Sequence, residues 1–127
     1  FSRIGLIPDV GGTYFLPRAM GLAKSIGSSI FADKIMAAEA HEIGLIYEYV
    51  EDDNYDIHLK SRVEYLANGP TVAFAGIKTA MRKSLNNSLD EQLELEAKLQ
   101  KKCGNTRDFQ EGVLAFHEKR DAKFEGR

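Results

Sequence analysis

The sequence lacks tryptophan and has only one cysteine and three prolines among its 127 residues. Cys103, a lone thiol without a CxxC partner, cannot form an internal disulfide, which indicates a reducing compartment, and we expect the cytoplasm. No run approaches the roughly 18 apolar residues that a membrane-spanning helix needs. The net charge of −2 leaves no basic field for nucleic acid or for an anionic membrane, so neither is expected as a partner.

What the sequence does contain is typical of a folded chain: 43% of its residues are hydrophobic and 28% are charged. This balance indicates a globular segment about the size of one small domain. The chain starts at Phe1 inside an apolar pattern, without a methionine. We therefore expect it to be the C-terminal piece of a longer protein.

Two short segments are predicted as strands, residues 3–7 before Pro8 and the alternating residues 46–50. Helices are predicted over residues 14–20, with Thr13 as N-cap, and over residues 22–31, 37–43 and 55–67. Three further helices are predicted to begin at Pro70, at the capping box of Ser88 and Glu91, and after Thr106. The chain is thus predicted to be mainly α-helical, with a boundary between residues 50 and 51.

The stretch GLIPDVGGT, residues 5–13, carries the most informative carboxylate, Asp9. From the residues alone it has two interpretations. Asp9 is either a turn or cap residue, stabilised by free N–H groups at the start of a helix, or a general base. In the second case the Pro8 turn and the glycine pair hold the carboxylate at the rim of a pocket. Spacing by itself favours the first interpretation.

The other motifs in the sequence give weaker indications of a functional site. The glycine pair belongs to no GxGxxG or GxxxxGK[ST] loop, so nucleotide binding is rejected. His41, His58 and His117 lie on different predicted elements without metal-ligand spacing, so no metal site is expected. The tail FHEKRDAKFEGR is by default a solvated helix end with favourable cations. An aromatic ring beside Lys119 and Arg120 could also meet an adenine and a phosphate.

Three stretches in this order resemble the C-terminal half of the crotonase family, the enoyl-CoA hydratases and isomerases. They are GLIPDVGGTYFLPRAMG, MAAEAHEIGLIYEYV and DFQEGVLAFHEKRDAKF, and together they span nearly all of the chain. The resemblance implies a mainly α fragment of an α/β crotonase-like fold. Residues 1–50 would form the last ββα turn of the spiral core, with the catalytic turn, and residues 51–127 the trimerisation helices. A homotrimer or a hexamer would then be the assembly.

The resemblance also implies a chemistry, the stabilisation of a thioester enolate by two backbone N–H groups, which are expected upstream of this chain. Hydratases typically carry a glutamate at the position of Phe1 and a glycine at that of Asp9. This sequence therefore lacks the second acid that hydration needs. The motif around Asp9 is similar to dienoyl-CoA isomerases and, more closely, to the ring-epoxide phenylacetyl-CoA isomerases of phenylacetate catabolism. The resemblance thus favours Asp9 as the catalytic base of an acyl-CoA isomerase.

Further site residues follow from the resemblance. Phe116 and Lys119 match positions that approach the adenine and phosphate end of coenzyme A, which is then part of the substrate, and no separate cofactor is expected. Ile7, Val10 and Tyr14 are expected to line the acyl pocket, although core packing explains the first two equally well. Hydration with an acid from the N-terminal half, and a helical oligomerisation module without chemistry, stay open as alternatives. The isolated chain of 127 residues is expected to be inactive, because the N-terminal half of the site is absent.

Overall fold

The structure, a computed structural model, describes residues 1–127 and is 68% helical. It contains seven α-helices, two short 3₁₀ turns, Ser2–Ile4 and Asp52–Asn54, and no strand. The helices are α1 (Gly12–Met20), α2 (Leu22–Phe31), α3 (Ala37–Glu42), α4 (Tyr55–Ala67), α5 (Thr71–Ser84), α6 (Leu89–Gly104) and α7 (Arg107–Glu118). The chain forms two compact units, Phe1–Asn54 and Tyr55–Arg127. The predicted boundary between residues 50 and 51 lies a few residues earlier.

Neither predicted strand exists, so the prediction of a ββα spiral turn in this chain is wrong. In the first segment the N–H of Ile4 donates to the carbonyl of Phe1 at 3.0 Å, and Gly5 turns the chain with a φ of 77°. In the second segment the N–H of Ile46 donates to the carbonyl of Ala40 at 3.2 Å, at the end of α3. A strand needs a neighbour with which to pair, and both segments use their amides in local turns instead.

The first unit is organised by α1 and α2, which pack against each other. Gly21, with a φ of 79°, ends α1 and precedes α2, so the predicted stop is confirmed, as are the predicted bounds of α2. Helix α1 begins at Gly12 rather than after Thr13, and its N-cap is Gly11. Pro17 therefore lies inside the helix rather than in its first turn.

The second unit contains α4 to α7, and two of these helices, α6 and α7, begin at caps that the sequence predicts. Ser88 Oγ accepts the N–H of Glu91 at 3.3 Å, and Glu91 accepts the N–H of Ser88 at 2.7 Å, so the capping box is confirmed. The backbone N–H of Ser88, and after it the Ser88 hydroxyl, which donates to the same carboxylate at 2.9 Å, lower the pKa of Glu91. Thr106 Oγ1 likewise accepts the N–H of Phe109 at 3.1 Å and begins α7, as predicted. Helix α5 begins one residue after Pro70, which is its N-cap.

The last residues, 120–127, run back along α7, and we name them the C-terminal strap. Glu111 accepts both Nη groups of Arg120, at 2.6 and 2.9 Å, and the N–H of Lys123 at 2.8 Å. Nearer the start of α7, Asp108 accepts the N–H of Gly126 at 2.9 Å and that of the preceding residue at 2.7 Å. Later strap residues thus contact earlier helix residues, which means that the strap lies antiparallel to α7.

Neither unit buries a large apolar side chain. The buried apolar residues are Ala40 in the first unit and Ala115 in the second, whereas Ile7 is 75% and Val10 is 95% exposed. None of the helices combines the length and the apolar composition that crossing a membrane requires. Caps, turns and short-range ion pairs therefore define most of the element boundaries within each unit.

We expect Ser88→Ala to lower the free energy of unfolding by about 1 kcal/mol, because a free N–H at the start of α6 then loses its side-chain acceptor. Urea denaturation followed by circular dichroism measures the change. Ser61→Ala is the matched control, since Ser61 is exposed within α4 and caps no helix. It should change the free energy of unfolding by less than about 0.5 kcal/mol. Equal losses in the two variants would contradict the capping role.

The strap should respond to acid. The guanidinium of Arg120 and the N–H of Lys123 lower the pKa of Glu111 from its ordinary 4.5 to about 2. Because the folded chain binds this proton more weakly than the unfolded chain, the contact stabilises fully above about pH 4.5 and is lost as the pH falls towards 2. The difference in unfolding free energy between wild type and Glu111→Gln should shrink across this window. A difference that is independent of pH would contradict the assignment.

Candidate functional site

Asp9 lies in a tight turn between the first 3₁₀ turn and α1. Its carbonyl accepts the N–H of Gly12 at 2.8 Å, and the two residues between them have positive φ, 52° at Val10 and 83° at Gly11. Glycine adopts this region freely, but a β-branched valine there is an outlier. Strained residues of this kind cost about 1–3 kcal/mol and cluster at functional sites. The turn therefore has a feature that chain reversal alone does not require.

The carboxylate of Asp9 does not cap a helix. The N-cap of α1 is Gly11, and no side chain accepts a hydrogen bond at this helix start. Asp9 is exposed, and its side chain enters neither an ion pair nor a hydrogen bond in the structure. Asp9 is therefore not a cap, whereas its interpretation as a turn residue holds, and its carboxylate is available for a ligand.

The Asp9 hollow, a cavity of about 350 Å³, lies beside this turn within the first unit. Two carboxylates line it, Asp9 and Asp33. The rest of its lining is mostly apolar, with two hydroxyls, and includes Phe1, Leu16, Met20, Ile35, Ser28 and Ser29. The structure thus brings Phe1 and Asp9, the two positions that distinguish isomerases from hydratases in the resemblance, to one cavity.

Asp33 is a site residue that sequence reasoning missed. It follows Ala32, which ends α2 in the left-handed region with a φ of 53°. The guanidinium of Arg3 donates to the carbonyl of Ala32 at 3.1 Å and ties this turn to the start of the unit. The contact joins residues far apart in sequence, and no local pattern marks Asp33, so only the fold reveals it.

The three predicted acyl-pocket residues do not share the Asp9 hollow. Ile7 lines a neighbouring cavity of about 410 Å³ between the first turn, α1 and α2. Val10 points into neither cavity. Tyr14 packs edge-to-face on Phe15, with 5.2 Å between ring centroids, and carries the guanidinium of Arg18 at 3.5 Å from its own centroid. That cation–π contact occupies one face of the ring.

The two predicted coenzyme A contacts lie in the second unit, at the end of α7. The ring of Phe116 is 81% exposed and lines a cavity of about 510 Å³ that Phe109 and Phe124 also line. Lys119 is the C-cap of α7 and has a φ of 54°. Its amine is exposed and forms no ion pair, so both side chains are accessible to a ligand.

The structure gathers no group of three or more His, Cys, Asp or Glu side chains that could hold a metal ion. It does bring two carboxylates to a largely apolar cavity in one unit, and it leaves an exposed aromatic ring and an unpaired cation in the last turn and C-cap of α7 in the other. The first arrangement suits proton transfer to and from an apolar substrate. The second suits a ligand with a flat ring and an anion.

Comparison with known proteins places these features in a family. A profile of the enoyl-CoA hydratase/isomerase family matches residues 1–127. A probable enoyl-CoA hydratase of Rhodobacter capsulatus is 50% identical over all of this chain and 49% of its own length. A 1,2-epoxyphenylacetyl-CoA isomerase of Escherichia coli is 39% identical over all of this chain and 48% of its own length. The relatives thus include proteins named as hydratases and as isomerases.

Solved structures show the same likeness. An enoyl-CoA hydratase/isomerase from Cupriavidus metallidurans superposes with a TM-score of 0.86 and 31% identity, over 98% of this chain and 47% of that one. An enoyl-CoA hydratase from Bacillus anthracis gives a TM-score of 0.83 and 29% identity, over 99% of this chain and 49% of that one. The chain therefore spans about half the length of the relatives that it matches.

The fold-class prediction is wrong as made. It described a C-terminal fragment, in which the last ββα turn of the spiral precedes trimerisation helices. The chain instead matches crotonase-fold proteins over about half of their length as a helical segment without strands, and a C-terminal position is not confirmed.

Gly11→Ala tests whether the Asp9 turn needs its glycine. We expect it to lower the free energy of unfolding by about 1–2 kcal/mol, because the residue has a φ of 83° and a Cβ would lie 2.9 Å from Phe15 Cε2. Gly27→Ala is the matched control. A Cβ at Gly27, inside α2, meets nothing within 4 Å. This change should therefore raise the free energy of unfolding by about 0.5–1 kcal/mol. Stabilisation by both changes would contradict the geometry of the turn.

Proposed function

Because the chain belongs to the enoyl-CoA hydratase/isomerase family, we propose that the protein that carries it is an acyl-CoA isomerase in which Asp9 moves the proton. The observation that supports this is the Asp9 turn. An exposed carboxylate that caps no helix is held next to a strained residue at the edge of a largely apolar cavity. A carboxylate without hydrogen-bond partners at such a cavity can reach a carbon-bound proton of an apolar substrate.

The proposed reaction is a shift of a double bond. The carboxylate of Asp9 takes a proton from the α or γ carbon of an unsaturated acyl thioester, and the electron pair of that C–H bond delocalises onto the thioester oxygen as an enolate. The protonated Asp9 then returns the same proton to another carbon of the conjugated system. The carboxylate is regenerated and nothing is added, so one acid is sufficient. N–H donors at the enolate oxygen would lower the barrier.

Phe1 supports isomerisation over hydration. Addition of water to an enoyl thioester needs one carboxylate to activate the water and a second group to deliver the proton. Phe1 lines the Asp9 hollow at the position where the resemblance places the second glutamate of hydratases. A phenyl ring there can neither bind water strongly nor exchange a proton.

Hydration is the second candidate function, and one observation favours it. Asp33 lines the same hollow as Asp9, so this chain brings two carboxylates to one cavity. Water held between them would be activated by one and the acyl carbon protonated by the other. The named activities of the relatives include both reactions. Asp33 therefore distinguishes the two functions.

The proposed substrate is an acyl thioester of coenzyme A. In the family that the chain resembles, these positions frequently approach a ligand held by the adjacent subunit; the adenine of such a ligand would stack on the exposed ring of Phe116, and a phosphate would pair with the amine of Lys119. Ile7, Val10 and Tyr14 are proposed as acyl contacts. No separate cofactor is required by this chemistry. A trimeric or hexameric assembly and a cytoplasmic location stay predictions.

The proposal predicts that Asp9→Asn lowers isomerisation by about 100-fold, the scale expected for the loss of a general base. The change keeps the size of the side chain and removes its ability to take a proton. The purified protein that contains this chain is incubated with a panel of unsaturated acyl-CoA thioesters. Double-bond migration and hydration are followed separately by their absorbance and by product analysis.

Asp33→Asn is the matched control in the same cavity. If the enzyme is an isomerase, this variant should retain activity within about two-fold of wild type, since only Asp9 handles the proton. Formation of a hydroxyacyl product that both substitutions abolish would establish hydration instead. Wild-type activity in Asp9→Asn would remove Asp9 from the mechanism. No turnover by the wild type would favour the helical oligomerisation module.

A further inference from the structure

Two adjacent cations with different roles lie where α7 meets the C-terminal strap. Arg120 forms two hydrogen bonds to Glu111, at 2.6 and 2.9 Å, and a third to Glu118 at 2.6 Å. Its neighbour Lys119 forms no ion pair, although it stands between Glu118 and Arg120 in the sequence. The guanidinium thus belongs to the structure of the strap, whereas the amine is available to an anion.

Lys119 is also the residue at which the chain reverses. Its φ of 54° lies in the left-handed region, which costs an L-residue roughly 1–2 kcal/mol relative to the helical region. Its N–H donates to the carbonyl of Phe116 at 3.3 Å, and the N–H of Arg120 donates to that of Ala115 at 3.1 Å. The carbonyls of Ala115 and Phe116 thus accept the first two N–H groups after the helix, which is the usual bonding at a left-handed helix end, although lysine is not the residue that favours this conformation.

The two hydrogen bonds between Arg120 and Glu111 add a side-chain contact to this backbone bonding. A guanidinium that meets both oxygens of one carboxylate is fixed in direction as well as in distance. Glu111 lies two turns back along α7, and it also accepts the N–H of Lys123 at 2.8 Å. The strap is therefore tied to α7 at Arg120 and again at Lys123. Holding Arg120 against α7 restricts the turn at the adjacent Lys119.

From this arrangement we propose that Glu111 and Arg120 are positioning residues for ligand binding. They fix the left-handed turn at Lys119, and thereby hold its amine and the ring of Phe116 at the same end of α7, for the phosphate-bearing adenosine end of a coenzyme A thioester. The inference rests on the proposed function for the identity of the ligand. Neither Glu111 nor Arg120 contacts the ligand or takes part in the proton transfer.

Glu111→Gln tests the inference in the full protein. The amide keeps the size of the side chain and an acceptor for the N–H of Lys123, but it loses the charged contact to Arg120. KM for an acyl-CoA thioester should rise about ten-fold, the scale of one charge-assisted hydrogen bond, with kcat within about two-fold. The same acyl group on pantetheine, which lacks the adenosine and its phosphates, should show no change in KM.

Glu118→Gln is the matched control. Glu118 contacts the same guanidinium at 2.6 Å, but it lies two residues from Arg120 and does not tie the strap to an earlier turn of α7. The KM of Glu118→Gln for the acyl-CoA thioester should stay within about two-fold of wild type. Arg120→Lys keeps the charge and loses the two-pronged contact, so it should reproduce the Glu111→Gln effect in part. It also serves as the test variant if Glu111→Gln does not fold.

Equal increases in KM for the coenzyme A and pantetheine thioesters would overturn the inference, because they would show a general structural effect. An unchanged KM in both Glu111→Gln and Arg120→Lys would overturn it as well. Binding of free coenzyme A, measured by calorimetry, separates this inference from the proposed reaction. Weaker binding to Glu111→Gln than to Glu118→Gln supports the positioning role even if no isomerisation is found. Absence of coenzyme A binding to the wild type rejects the positioning role.

Discussion

Three residues other than glycine adopt left-handed backbone, and each stands at a helix end beside a candidate functional group. Val10 follows Asp9 before α1, Ala32 precedes Asp33 after α2, and Lys119 ends α7. Neither unit buries a large apolar side chain that could hold these turns in place. The conformations must therefore be held by specific polar contacts and by adjacent glycines. This constraint governs where the carboxylates and the cation can point.

Each of the three turns is stabilised differently. The Asp9 turn relies on Gly11, which accepts the positive φ that the following helix start requires. The turn at Ala32 is tied by the guanidinium of Arg3, which reaches its carbonyl from the start of the unit. The turn at Lys119 is closed by N–H bonds to the carbonyls of Ala115 and Phe116, and the ion pair between Arg120 and Glu111 follows it directly. At the last two turns, charged side chains make contacts that belong to the folded structure. The charged side chains without such contacts are the candidates for a chemical role.

The sequence predicted those features that depend on a few neighbouring residues. The bounds of α2 and the caps at Ser88 and Thr106 follow from spacing and from side-chain hydrogen bonding within one turn, and the structure confirms them. Both strand predictions are wrong, because a strand depends on a partner elsewhere in the chain, which a local pattern does not specify. The same limit applies to Asp33, since its approach to the Asp9 hollow depends on the packing of α1 against α2.

The acidic side chains separate into two groups by what they contact. Asp108 is buried and accepts two backbone N–H groups, while Glu111 accepts a guanidinium and a third N–H, so both are committed to holding the strap. Asp9 and Asp33 accept nothing through their carboxylates and face a largely apolar cavity. A carboxylate bound by several donors is a poor base, because those donors stabilise its charged form. A carboxylate without donors beside apolar walls can accept a proton from carbon once a substrate excludes water from it. For the proposed proton transfer, the acids that the fold leaves without partners are therefore the first candidates.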